Sequence, residues 1–351
     1  MIDIKEVLRT LSETDGVSSD EKKPKEIVKK ELQKLNIEFS EDRVGNLIAV
    51  KKGKESKGKF MIATHIDEIG LIVTAFDENV LRFTTVGGFD KRILLGQEVI
   101  VHGSKNLIGV IGSIPPHFLP KDKKAEVLLI EELFIDVGLS KREVKKYVEI
   151  GNFVSLKKSF VELCNERYSG KSLDNRTSVA TSLYIFDELT RIKHNWDVYG
   201  VFTVQEEITG LGAVSSSYNV FPDAAVAIDV GFGKQANFSS NFITEIEKGP
   251  IIATGPNIHN GLKNAIVKIA KDYEIPYQIE AEPGTTGTDA ASIQISGKGI
   301  PTILVSIPLL YMHTPIEVVS GKDIRRTGRL ISLFISFLSF EMLKGERDVA
   351  S

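Results

Sequence analysis

Apolar residues fall at helical spacing near the start of the chain, where Ile4, Val7, Leu8 and Leu11 mark one face and Ile27, Val28, Leu32 and Leu35 mark another. Two helices are predicted, one in the opening segment and one from Asp20 to Leu35. From about Leu71 to Phe160 the texture changes to Val, Ile and Gly in short alternating runs such as EVIVHG and LIGVIGSI, which is strand patterning. One helix interrupts it, opened by Ser140 and Glu143 at capping-box spacing before Val144, Tyr147 and Val148. After residue 165 strands and helices alternate, as in a sheet covered by helices. The apolar stretch Leu330 to Phe340 is too short to span a bilayer, which takes about 20 apolar residues, and is predicted to be a buried helix.

These patterns predict an α/β fold. A mixed sheet flanked by helices is built from residues 1–70 and 165–351, and a β-rich, barrel-like domain, 71–164, is inserted into it. A length of 351 residues suits two domains, and 42% hydrophobic with 26% charged residues is the composition of a soluble globular protein. Forty-four basic against forty-seven acidic residues leave a net charge of -3, which argues against nucleic acid as a partner. The start, MIDIKEVLRTLSETDG, has no continuous apolar stretch, so a cytoplasmic protein without a membrane partner is expected. With Cys164 the single cysteine, any metal must be held by His and carboxylates.

Four nearly continuous apolar runs, each the length of a buried strand, end at or near such a residue. FMIAT precedes His65, VYGVFTV precedes Glu206, AAVAI precedes Asp229, and TILVSI lies shortly before His313. Ligands of open α/β sheets bind beyond the carboxyl ends of the strands, so these residues can converge although far apart in sequence. Asp174 stands at the predicted start of a helix, where an N-cap is the plainer role for it taken alone. His and carboxylates without thiolate suit Zn, Co or Mn, and this many ligands can hold two ions. His65 and Asp67 face the same side of an extended backbone, which lets Asp67 fix the ring of His65. The side chains of Glu206 and Glu207 must diverge, so one can bind metal while the other handles protons. Gly287, Thr288 and Asp289 in TGTDAAS are candidates for lining a substrate pocket, with helix capping the other role open to Asp289.

Other motifs carry less. NERYSGKS resembles the end of a phosphate-binding loop but has Asn165 where glycine is required. There is no G-x-S-x-G elbow, and His102, His117, His194 and His259 lack metal-ligand spacing, so structural roles are expected for them.

The motifs ATHIDEIG, VGGFDKRILLGQEV, GVIGSIPPH, SLDNRTS, VQEEITGLGA, AIDVG, GTDAASIQ and YMHTPIE, in this order, resemble the tetrahedral (TET) aminopeptidase family of glutamyl and deblocking aminopeptidases, some members of which are labelled endoglucanase. The resemblance implies a cytoplasmic metallopeptidase that cleaves N-terminal residues from peptides with two divalent ions, Zn or Co. It places one ion on His65, Asp174 and Asp229 and the other on Asp174, Glu207 and His313, with Glu206 as general base and Asp67 orienting His65. It further implies that the β-rich insertion is a dimerisation domain of a homo-oligomer whose dimers build a tetrahedral dodecamer. A deacylase of N-acyl amino acids or sugars could use the same metal site, a glucanase rests on labels alone, and a non-catalytic assembly protein is disfavoured by the complete ligand set. Two departures stand out: Leu310 where many relatives carry Arg, and Asn175 where relatives often carry a second Asp.

Overall fold

The computed structural model describes residues 2–118, 128–236 and 244–344. Its centre is an eleven-stranded mixed sheet. The order along its main path is Glu38–Glu41, Leu47–Lys51, Asp197–Thr203, Lys59–His65, Ala224–Phe232, Thr302–Leu310, Glu317–Ser320, Arg167–Gly170 and Val161–Leu163. Ile251–Thr254 pairs with Thr302–Leu310 and carries Gln278–Ala281 on its other edge. The four strands read from apolar runs are the parallel heart of this sheet: Lys59–His65 lies between Asp197–Thr203 and Ala224–Phe232, and the last pairs with Thr302–Leu310. They are buried on both faces, which is why they read as continuous apolar runs rather than alternating ones. Phe60, Met61, Ile62 and Ala63 are entirely enclosed, and each of the two largest contributes roughly 1.5–3 kcal/mol by leaving water.

The expected helices form as Ile4–Glu13 and Lys22–Lys34, burying Leu8, Leu11, Val28 and Leu32. The long segment Leu173–Leu189 packs against Lys59–His65, Ala224–Phe232 and the helix Gly321–Phe337. The apolar stretch near the end departs from expectation. Leu330, Ile331, Leu333, Phe334 and Ile335 are buried in a helix, but that helix stops at Phe337, which is half exposed. Leu338 and Ser339 take extended conformations, and Phe340 swings back in a short turn to stack on Trp196 with ring centroids 4.7 Å apart.

The β-rich stretch closes into a six-stranded antiparallel barrel in the order Gly70–Asp77, Val80–Val86, Leu133–Asp136, Asn106–Ser113, Glu98–His102 and Phe153–Leu156. It has a core of its own, with Leu71, Val73, Leu81, Val99, Val101, Ile135 and Val154 at its centre. The helix at Lys141–Val144 is opened by Ser140 and Glu143, each bonding the other's end of the turn. Closure leaves no free edge on these short strands. Among the described residues no helix is long and apolar enough to cross a membrane.

Gly200 sits in the strand Asp197–Thr203 directly under the ring of Phe186, so closely that a β-carbon there would overlap it. Gly200→Ala is expected to destabilise the fold by about 1–3 kcal/mol through this overpacking. The check is a lowered midpoint of thermal unfolding, and an unchanged midpoint would contradict the close seating of that helix.

Candidate active site

The register of the parallel strands brings the chemistry together. Thr203 pairs with His65 and Ala227 with Ala63, so Asp229 comes level with His65 while the chain after Thr203 leads straight to Glu206 and Glu207. One residue past the last pairing with Ala227's strand, Leu310 ends the next strand and the chain turns through Tyr311 to His313. Asp174 arrives from beneath, on the first turn of the segment Leu173–Leu189, where it and Asn175 are not yet helical and the peptide between them is cis. The N-cap position of this segment is Ser172, so Asp174 is not its cap.

Asp174 sits between the two imidazoles. Its Oδ1 lies 3.2 Å from His65 Nε2 and its Oδ2 lies 3.3 Å from His313 Nε2. His65 Nε2 is also 3.8 Å from Asp229 Oδ1 and 3.8 Å from Glu206 Oε2, and His313 Nε2 is 3.7 Å from Glu207 Oε2. Two ligand groups result, His65 with Asp174 and Asp229, and Asp174 with Glu207 and His313; within each, the candidate donor atoms lie inside 4.8 Å of one another. Asp174 belongs to both.

Asp67, wholly buried, organises the neighbourhood. Its Oδ1 lies 3.4 Å from His65 Nδ1, and the backbone N–H groups of Glu206 and Glu207 donate to its two oxygens at 3.1 and 3.2 Å. The Ser18 hydroxyl adds a third donor at 2.6 Å. Burial works against the charged carboxylate, but the His65 ring, Ser18 and the Glu206 N–H together hold it below the usual carboxylate range.

The remaining acids are pushed the other way. Burial, against the pull of His65 and with the charges of Asp289, Asp174 and Asp67, raises Glu206 to about 8. Burial together with Asp174 raises Glu207, and burial outweighs His65 to raise Asp229. Among the described residues no Lys or Arg pairs with Asp174, Glu206, Glu207 or Asp229, whose cationic neighbours are His65 and His313. Two buried and two part-buried carboxylates facing two imidazoles carry more negative charge than the protein compensates, and such groups are held charged only by paired or metal cations. The donor set of imidazole nitrogen and carboxylate oxygen fits divalent zinc or cobalt.

Residues of less obvious sequence support this arrangement. Glu317, fully enclosed, accepts the backbone N–H of Asp174 at 3.1 Å and of His313 at 2.8 Å, fixing the two elements relative to each other. Arg176 is fully buried and donates to the Leu11 carbonyl at 3.1 Å. Asn175 donates its side-chain amide to the Ile228 carbonyl at 3.0 Å, one residue before Asp229. The GKS that resembled a phosphate loop is internal: the Lys171 ammonium meets Glu68 at 2.6 Å and the Ser172 hydroxyl bonds the same carboxylate.

A cavity of about 790 Å³ opens over the cluster and includes Gly287 and Thr288 in its lining. Asp289 lies behind that wall, buried and accepting the Thr203 hydroxyl at 2.5 Å, while Thr288 is the residue that caps the helix Asp289–Gln294. The other histidines have the structural partners expected of them: His102 bonds Asn106 and Ser155, His194 the Trp196 carbonyl, and His259 caps a helix by accepting the Leu262 N–H. His117 packs against Phe118. Leu310 is buried at its strand end against Val318, away from the cavity lining.

Comparison with known proteins agrees with the resemblance drawn from the motifs. The chain is 35% identical over 342 residues to a lysyl aminopeptidase of Pyrococcus furiosus, covering 95% of this chain and 97% of the relative. It superposes on a TET aminopeptidase from the marine sediment archaeon Thaumarchaeota archaeon SCGC AB-539-E09 with a TM-score of 0.92 at 29% identity, over 97% of this chain and 98% of the other. A TET1 peptidase of Pyrococcus horikoshii, described as assembling into a tetrahedron or a large octahedral shell, matches with a TM-score of 0.85 at 30% identity, over 96% of this chain and all (100%) of that one. Residues 45–330 match the sequence pattern of the M42 glutamyl aminopeptidases, and the chain belongs to that family.

Proposed function

We propose that this chain is a metal-dependent aminopeptidase that removes N-terminal residues from peptides, with two divalent ions, Zn or Co, bound side by side. The observation that carries the reading is Asp174, whose two oxygens face the two imidazoles, His65 and His313, in two ligand groups that share it. His65, Asp174 and Asp229 would hold one ion, and Asp174, Glu207 and His313 the other. Bound divalent ions supply Lewis acidity, polarising the scissile carbonyl and easing the loss of a proton from water.

The chain's own residues do the rest. Glu206 stands beside His65, its Oε2 3.8 Å from Nε2, and lines the cavity without belonging to either ligand group. As general base it takes the proton of the attacking water and returns it to the leaving amine. Asp67 acts through others: it holds the His65 ring by Nδ1 and, by accepting two consecutive backbone N–H groups, fixes the direction in which Glu206 and Glu207 diverge. Gly287 and Thr288 form part of the wall against which a peptide lies.

The reading extends to assembly. Ile108 and Val110 alternate on the outside of the barrel, both well exposed, with Ile114 beyond them. This apolar stripe supports the inserted barrel, expected over residues 71–164, as a dimerisation domain of a homo-oligomer, with the dodecamer of tetrahedral relatives as its extension; its strands run from Gly70 to Leu156, and Val161–Leu163 pairs into the central sheet instead.

Glu206→Gln is expected to keep both bound ions while lowering kcat by about 10²–10⁴-fold; turnover of an N-terminal amino-acyl substrate near the wild-type rate would remove Glu206 from the base role. His313→Ala should reduce bound metal from two equivalents toward one, measured by elemental analysis after dialysis. An unchanged stoichiometry would contradict its ligand role.

A further inference from the structure

The cavity extends past the ligand cluster to a second acidic feature. Glu280 and Glu282 line it together with Gly231, Phe232, Leu304 and Met312. Glu280 lies on Gln278–Ala281, the strand carried by Ile251–Thr254, and alternates in facing with Ile279 and Ala281, which are exposed. Gln278, on the same face, is committed to the Glu245 and Gly249 carbonyls and to the Glu245 N–H. Among the described residues the carboxylates of Glu280 and Glu282 have no hydrogen bond and no ion pair, and no Lys or Arg lines the cavity. Partial burial and the charge of Glu282 push the Glu280 carboxyl up, as expected of an acid with no cation beside it.

Gly231 sets the distance between the two features. It stands two residues beyond Asp229 on the same strand and therefore faces the same side, roughly 6.6 Å further along. A β-carbon at Gly231 would press on Ile251 Cδ1 at 2.8 Å and Ser306 Cβ at 3.2 Å and would lie 3.9 Å from Glu280 Oε2, which puts the acid beside this strand just past the ligand cluster. Three carboxylates of the cluster, Asp174, Asp229 and Glu207, would be taken up by metal and Glu206 serves as the base, whereas Glu280 and Glu282 are left over. Phe232, Leu304 and Met312 supply apolar surface between, suited to an aliphatic stem with a charged tip.

We propose that this end of the cavity receives the side chain of the substrate's N-terminal residue and selects lysine or arginine, with Glu280 the main specificity residue and Glu282 its support; the assignment rests on the aminopeptidase reading. An acidic N-terminal residue meets like charge there and is disfavoured, and a neutral one leaves both carboxylates unpaired.

The test uses the metal-loaded enzyme with amino-acyl nitroanilides of lysine, arginine, norleucine and glutamate. Lysine and arginine should exceed norleucine at least tenfold in kcat/KM, with glutamate slowest. Glu280→Gln should lower the lysine-to-norleucine ratio at least tenfold, and Glu280→Lys should invert the order of lysine and glutamate. Norleucine matching lysine, or a ratio unmoved by Glu280→Gln, would overturn the assignment while leaving the aminopeptidase reading standing. Calorimetric binding of L-lysine against L-norleucine reads the pocket without turnover. Tighter lysine binding that Glu280→Gln abolishes supports the pocket even in a preparation that hydrolyses nothing, and equal binding of the two overturns it.

Discussion

Asp174 is buried with one oxygen toward each of two imidazoles, and the architecture around it serves to keep it there. Holding a carboxylate in that position requires its backbone to leave the helix it begins, its N–H to be taken up by Glu317, and its neighbour Asn175 to be pinned under the strand that carries Asp229. It also requires charge compensation that the protein's side chains do not supply, because Asp229, Glu206 and Glu207 crowd the same space. A cluster so arranged is stable as a metal site and costly as anything else.

The ligand strands were legible in the sequence for a physical reason. A strand buried on both faces cannot alternate, so it reads as an unbroken apolar run, and a His or acid soon after it emerges at the sheet's carboxyl edge, where ligands bind. His65, Glu206 and Asp229 announced themselves that way. Asp174 did not, since an acid opening a helix is equally a cap, and its position between the imidazoles depends on a backbone that is not yet helical. Glu317, Glu68 and Glu280 were illegible as partners because their counterparts lie far away in the chain: Glu317 bonds Asp174, Glu68 bonds Lys171, and Glu280 faces Gly231. The short strands that carry Glu317 and Glu280 are too brief to show a period. Asp289 illustrates the converse, a residue placed in the right loop by its motif but turned by Thr203 away from the cavity.

The barrel and the sheet are joined close to the candidate site. Polar contacts join the two: Ser155 of the barrel donates to Asp15 at 2.7 Å and His102 bonds Ser155 at 2.9 Å, beside the apolar packing of Val17 on Gly70. The strand Gly70–Asp77 begins five residues after His65 and enters the barrel directly. Gly88, in the loop after the second barrel strand, lies beside the His313 ring, close enough that a β-carbon there would be 3.2 Å from Nδ1.

The central claim is that two ions share Asp174. Anomalous diffraction from crystals of the zinc-loaded protein tests it most directly. The account predicts two peaks, each roughly 2.0–2.2 Å from a different oxygen of Asp174, with His65 and Asp229 at one and Glu207 and His313 at the other. A single peak, or two peaks of which one does not touch Asp174, would contradict it.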